Sequence, residues 1–376
     1  MKKIKFIIWV LLLLLIVVIS GYSQRKNSFS DVKTEIIKDP KPTHRAKTVN
    51  TLKLVKIITP DIDDEHFIAQ IGKIQVDRHG NIYVYDHVSF KFFKFDKNYK
   101  FIKIFGRVGK GPGEYQAYRY LLKDFRIFEN DTIYFNDMDG FKNIAYDLEG
   151  KLLHEWKYPR RVVVLPIRVN NGQWLAYTRY TFDILDKNIK KHVKTLLTVR
   201  DFTKKNLSGP TDTMHIMISG NIEVDRFSPY TFGVIGRYTG KFYYFKNEKL
   251  INSFQILPER WINSLKVKVK KSEADKKKHV GDPKSREILT NTFYPTITDF
   301  FSDRDNQEEF YVGGVSTKNI HNPLYKFNVK GDLISAWGYP KYNGNKDHIG
   351  LDYCCKRNGL IYATDVDKIY IFKEER

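Results

Sequence analysis

The feature that most constrains this chain is that it repeats itself. YDLEGKLLHEWKYP, from Tyr146 to Pro159, and FNVKGDLISAWGYP, from Phe327 to Pro340, share five positions without a gap: Gly150 and Gly331, Leu152 and Leu333, Trp156 and Trp337, Tyr158 and Tyr339, Pro159 and Pro340. FKFDKNYKFIKIFG, from Phe93 to Gly106, and FYYFKNEKLINSFQILP, from Phe242 to Pro258, follow the same plan of strand, polar turn and strand. Ahead of these hairpins recurs a polar turn that enters an aromatic strand ending on an acid. Its copies are DRHGNIYVYD to Asp86, FENDTIYFND to Asp137 and KRNGLIYATD to Asp365, with NQEEFYVGG, ending on Gly313 and Gly314, as a variant. Tyr83 and Tyr134 lie 51 residues apart, and so do Tyr311 and Tyr362. Such a period, with four short strands in each unit, belongs to a propeller blade rather than to a sandwich.

Two middle units are eroded but legible, one through LPIRVNNGQWLAYTRY and HVKTLLTVRDF, the next through DRFSPYTFGVIGRYTGKFYYF. Blades centred near Tyr83, Tyr134, Trp174, Phe232, Tyr311 and Tyr362 make six. The last unit ends after three strands, at DKIYIFKEER, and TLKLVKIITP at Thr51 to Pro60 supplies the missing outer one. The expected fold is therefore all-β, a six-bladed β-propeller of four-stranded antiparallel blades, its ring closed by an N-terminal strand that hides an open edge. The 24 Tyr and 26 Phe suit it, because aromatic side chains fit a pleated, half-buried surface.

Two segments lie outside the blades. Residues 24–50, polar and holding Pro40 and Pro42, read as a linker before the propeller at 51–376. A lysine-rich insertion near 259–292 contains KVKVKKSEADKKKH, from Lys266 to His279, a solvated loop or short helix that could also be drawn to an anionic surface.

The N-terminus is a transport signal. Lys2, Lys3 and Lys5 precede an unbroken apolar run from Phe6 to Ile19, the charged and hydrophobic regions of a signal peptide over residues 1–23. A bilayer span needs about 20 residues, so cleavage near Ser23 is favoured; left uncleaved, the run would serve as an inner-membrane anchor. The first cysteine is Cys354, which rules out lipid attachment at the signal junction. Without residues 1–23 the formal charge falls from +21 to +18. Export to the periplasm or outer surface turns that charge away from nucleic acid and toward anionic envelope partners: a glycan, a peptide, an envelope protein or a membrane surface. Cys354 and Cys355 are adjacent on an expected strand, where neighbours point to opposite faces; free buried thiols are the simpler reading, with a vicinal or intermolecular disulfide as the other.

At FGRVGKGPGEYQ, from Phe105 to Gln116, the chain resembles the signature of a six-bladed β-propeller family common among exported proteins of Bacteroidetes, itself similar to NHL-repeat propellers. Members of that family are commonly lipoproteins without an assigned activity, and this chain departs from them in lacking the lipid-attachment cysteine. The string is no phosphate loop, since Glu114 and Tyr115 follow Gly113 where a Walker motif needs Lys and then Ser or Thr. Gly106, Gly109, Gly111, Pro112 and Gly113 form a structural crossover between blades. Arg107, Lys110, Glu114 and Arg119 are the candidate ligand-binding residues at the mouth of the central channel.

Catalytic chemistry is thinly represented. Asp86, Asp137 and Asp365 each end a strand before a hairpin, which makes them turn caps before metal ligands. The histidines, His87 and His321 included, form no ligand pair, and neither a G-x-S-x-G elbow nor a cysteine with a histidine partner is present, so the chain predicts no catalytic residues and no cofactor. The expected function is an exported binding scaffold. The alternative is a lactonase-like or lyase-like enzyme with Ca²⁺ at the propeller axis.

Overall fold

A computed structural model describes residues 52–59, 66–116, 124–159, 162–169, 172–177, 181–198, 201, 222–237, 240–256, 266–268, 291–293, 297–314, 324–337, 352–365 and 367–375. The signal, the linker, Arg119, His321 and most of the lysine-rich insertion fall outside them, and all the described residues belong to the unit Ile37–Arg376.

Six four-stranded antiparallel sheets follow one another. The first blade is built from Ile71–Val76, Ile82–Asp86, Lys91–Phe95 and Phe101–Phe105, running outward in chain order. Blades 2 to 5 repeat this over residues 124–157, 163–198, 222–255 and 297–337. Tyr83, Tyr134, Trp174, Phe232, Tyr311 and Tyr362 all lie in the second strand of their blades, so the repeat read from the sequence is the physical one. Blade 6 takes its inner three strands from the C-terminus, Asp352–Arg357, Leu360–Thr364 and Ile369–Glu374, and its outermost from Leu52–Ile58. Leu52 pairs with Glu374 and Ile58 with Ile369. Inner strand Ile71–Val76 lies beside the inner strands of both blade 2 and blade 6, which closes the ring.

Burial explains the aromatic excess. In blades 1 and 2 the second and third strands are buried almost throughout, and their rings fill the gaps between blades. Between blades 1 and 2, Tyr85, Phe92, Tyr115, Phe125 and Phe135 form one cluster, and between blades 4 and 5 Phe242 stacks on Phe310 at 4.4 Å. Each fully buried Phe contributes about 1.5–3 kcal/mol, so these interfaces hold the ring together. Trp156 and Trp337, identical in the two best repeats, lie against the second-strand tyrosine of their own blades, Tyr134 at 6.1 Å and Tyr311 at 5.9 Å. Those blade positions recur because the same pair packs twice.

Every outermost strand carries an extra residue that faces solvent, and that of blade 3 carries a second, the buried Leu196. The register against the third strand skips Ile102, Leu153, Val193, Ile251, Ile334 and Val55 in blades 1 to 6. Each is a β-bulge and each holds an exposed aliphatic side chain. In the insertion, Lys266–Lys268 pairs with Asn291–Phe293 as a short antiparallel ladder, an element that neither a loop nor a helix reading of the lysine run provides.

Candidate functional site: the charged axis

The glycine-rich crossover leaves the outer strand of blade 1 and leads to the inner strand of blade 2. Pro112 and Gly113 are the centre of a turn closed by the Glu114 N–H on Gly111 O at 3.1 Å, with Gly113 at φ +70°, the type II arrangement. Gly109 and Gly111 have a different reason to lack a side chain: a Cβ on Gly109 would lie 2.0 Å from Glu114 Oε2, and Gly111 N–H donates to that oxygen at 2.8 Å. Glu114 Oε1 also pairs with Arg107 Nε at 3.0 Å, although Arg107 is 83% exposed. Lys110 is exposed. Gly113 N–H donates to Glu155 of blade 2's outermost strand at 2.6 Å, so this part of the loop sits at the rim, and only its end, where Gln116 N–H meets Asp137 Oδ2 at 3.1 Å, turns inward. Of the four sequence candidates, Arg107 and Glu114 are brought together, Lys110 stands apart, and Arg119 lies outside the described residues.

Gly106 adopts φ +91°, and a Cβ there would lie 2.3 Å from the Tyr115 hydroxyl, which donates to Phe90 O at 2.6 Å. Gly106→Ala should therefore lower stability by about 2–3 kcal/mol, from left-handed strain together with a displaced buried tyrosine, read as a fall in the urea midpoint.

The strand-ending acids do more than cap turns. Asp86 accepts from Val88 N–H at 2.8 Å and Ser89 Oγ at 2.8 Å within its hairpin, and also from Ala69 and Gln70 N–H, at 3.2 and 3.1 Å, on the segment entering the inner strand. Asp137 holds the next crossover through Gln116. In blade 4 the job passes to Arg237, whose Nε donates to Ile297 O at 2.9 Å and whose carbonyl accepts from Ile297 N–H at 3.1 Å. His87 packs its ring over Gly72, where a Cβ would lie 2.2 Å from Nε2.

Charge gathers at the axis instead, on the innermost strands. Asp225, in Ile222–Ser228, is 2% exposed. It accepts from Arg126 Nη1 at 3.1 Å, Arg304 Nη2 at 3.1 Å, Ser302 N–H at 2.7 Å and Ser302 Oγ at 2.8 Å. Burial by itself would raise this carboxyl, but Arg304, Arg126 and the Ser302 bonds outweigh it and hold Asp225 at about 2. Arg126 comes from blade 2 and also donates to Val224 O at 3.0 Å, so it ties blade 2 directly to blade 4. Burial works against the Arg126 charge, and Asp124, at 3.2 Å, with Asp225 more than reverses it. Lys73 of blade 1 faces Asp124 at 3.8 Å, and Asp299 of blade 5 accepts the Cys354 N–H of blade 6 at 2.5 Å.

Glu223, two residues before Asp225, keeps 24% of its side chain accessible although it lies deep in the ring, and pairs with Arg237 at 3.5 Å. Burial raises its carboxyl above the ordinary range, while Arg237 and Lys73 oppose the rise. Such a group can exchange a proton, yet no activated nucleophile accompanies it among the described residues. Cys354 and Cys355 are buried thiols, and burial pushes the Cys355 thiol up to about 12. Neither thiol should react with a colourimetric disulfide reagent at pH 8 until denaturant is added, when both should. Nor, among the described residues, do three His, Cys, Asp or Glu side chains come together as a metal site, and Asp225 commits both oxygens to arginine and serine. Asp225 is therefore not available as a calcium ligand.

Six four-stranded blades around a charged axis find their counterpart in a family model described as a 6-bladed beta-propeller, which matches residues 24–343. The chain belongs to that family. No curated protein matches it. Among solved structures, the propeller is similar to a Bacteroides fragilis protein named for its expected export, at 14% identity and TM-score 0.53 over 87% of this chain and 97% of that one. It is also similar to a DUF4221-family member from Bacteroides vulgatus, at 8% identity and TM-score 0.50 over 87% and 98%. At these identities the likeness is one of fold.

Sequence reading missed the axial residues because no local motif marks them: Lys73 in IGKIQV, Asp124 and Arg126 in DFRI, Glu223 and Asp225 in IEVDRFS, Asp299 in ITDFFS. The signal that could have found them is positional: all lie in the first strand of a blade, the one strand that faces the axis.

Proposed function

We propose that this six-bladed propeller is an exported scaffold of the cell envelope that docks an anionic partner, a glycan, peptide or envelope protein, and is not an enzyme. The observation that carries the reading is the axis. Its most buried carboxylate, Asp225, is tied up by two arginines from other blades, which suits bracing rather than turnover. The basic balance, +18 without the signal, supports an anionic partner, and the apolar run after Lys5 supports export.

The test is retention of residues 24–376 on an immobilised polyuronate against neutral dextran. Retention on the acidic polymer alone, weakening between about 50 and 300 mM salt as exposed charges are screened, is the expected result. Equal retention on both, or calcium-dependent opening of a lactone, would overturn it in favour of neutral recognition or of the hydrolytic alternative.

A further inference from the structure

Beside the Asp225 brace stands an arginine that the brace does not use. Arg226 is 90% buried, with 10% of its side chain exposed, and is fixed in two ways. Nε donates to Ser228 O at 2.8 Å, and the guanidinium lies over the Phe128 ring of blade 2 at 4.3 Å. Among the described residues its two terminal nitrogens make no hydrogen bond, and their one ion pair is a loose one to Glu129, 3.8 Å away and 43% exposed. Arg304 reaches the same place, donating to Arg226 O at 2.7 Å. Burial and the Arg304 charge both push the Arg226 pKa down, although Glu129, Tyr134 and Asp225 oppose them. A guanidinium whose fork makes no hydrogen bond to the described residues is open to a two-oxygen anion, the ligand its planar donors match.

We propose that the Arg226 fork, flanked by Arg304 and backed by Phe128, is a binding site for a terminal oxyanion, a carboxylate or a phosphate, at the propeller axis. The site rests on the scaffold reading and sharpens it, because it names the group of the partner that would be held. Fixing Nε on Ser228 and the plane on Phe128 leaves both terminal nitrogens aimed as a pair, so little rotamer freedom is lost on binding. Glu129 is the one carboxylate the anion must displace, and its exposure lets it swing into water.

Side-chain NMR of ¹⁵N-arginine-labelled residues 24–376 tests this, with acetate and inorganic phosphate titrated separately at constant ionic strength. One Nε–Hε resonance, missing from Arg226→Lys, should shift saturably, and the Phe128 ring protons should follow it with the same midpoint. Arg226→Lys keeps the charge and loses the fork, so its Phe128 midpoint should weaken about ten-fold, while Lys97→Gln, in the exposed turn between the third and fourth strands of blade 1, leaves it unchanged. Saturation by acetate alone assigns a carboxylate source, and by phosphate alone a phosphorylated one. Should Arg226→Lys fail to fold, the Phe128 shifts of the wild type still decide. An Arg226 resonance that stays put with both anions, or arginines that all drift together, overturns the site. Loss of polyuronate retention with a saturable Arg226 would sink the scaffold reading and leave the site standing; retention with a static Arg226 would do the reverse.

Discussion

Asp225→Ala should destabilise the folded chain by about 3–5 kcal/mol, because it leaves Arg126 and Arg304 buried without their shared counter-ion. The urea midpoint should fall with the slope unchanged, since the area exposed on unfolding is the same. Acid supplies a second reading of the same carboxylate. Its folded pKa, about 2, lies below the ordinary 3.8, so its contribution is complete above about pH 4 and disappears as pH falls toward 2. The gap between wild type and Asp225→Asn should therefore narrow through that window. Glu223 works in the opposite sense: its carboxyl is raised in the folded state, so ionising it costs stability as pH climbs above the ordinary carboxylate range. A gap that stayed constant from pH 5 to pH 2 would show that the ion pair is not what Asp225 contributes.

The ring closure predicts the second large effect. Cutting the chain back to begin after residue 60 strips Leu52–Ile58 from Ile369–Glu374 and opens an edge on blade 6, and the product should aggregate or lose its cooperative transition. A circular permutant should escape. Leu52 lies opposite Glu374, so a short turn joining residue 375 to residue 51, with the new N-terminus near residue 66, makes the third-to-fourth-strand hairpin that the other five blades already have. Its melting temperature should stay within a few degrees of the parent, whereas the truncated chain should have none to measure.

Much of the architecture could be read from the chain because a blade is a local object. Turn chemistry and aromatic strands recur within about 50 residues, and even the eroded Trp174 and Phe232 units fell into place as second strands. The closing strand was legible for a topological reason, since a three-stranded last unit needs a fourth. The axis was not legible, because Arg126 and Asp225 are 99 residues apart and only the ring brings them together. In the glycine-rich string, the turn around Pro112 and Gly113 followed from residue type. That Gly109 is small to admit Glu114, however, depends on a contact no spacing rule expresses. Asp86 was readable as a cap of its own hairpin and unreadable as the anchor of Ala69 and Gln70, which precede it by 17 and 16 residues.

The bulges on the outer strands bear on how such rings coexist at high concentration. A propeller offers six rim strands with unpaired backbone groups, each a potential template for a neighbouring molecule. An extra residue in every one, at Ile102, Leu153, Val193, Ile251, Ile334 and Val55, kinks the ladder so that a straight incoming strand cannot stay in step with it. The aliphatic side chain that each bulge turns to water belongs to a different blade, so the six never merge into one sticky patch. A rim built this way disfavours edge-to-edge pairing of one ring's outer strands with another's.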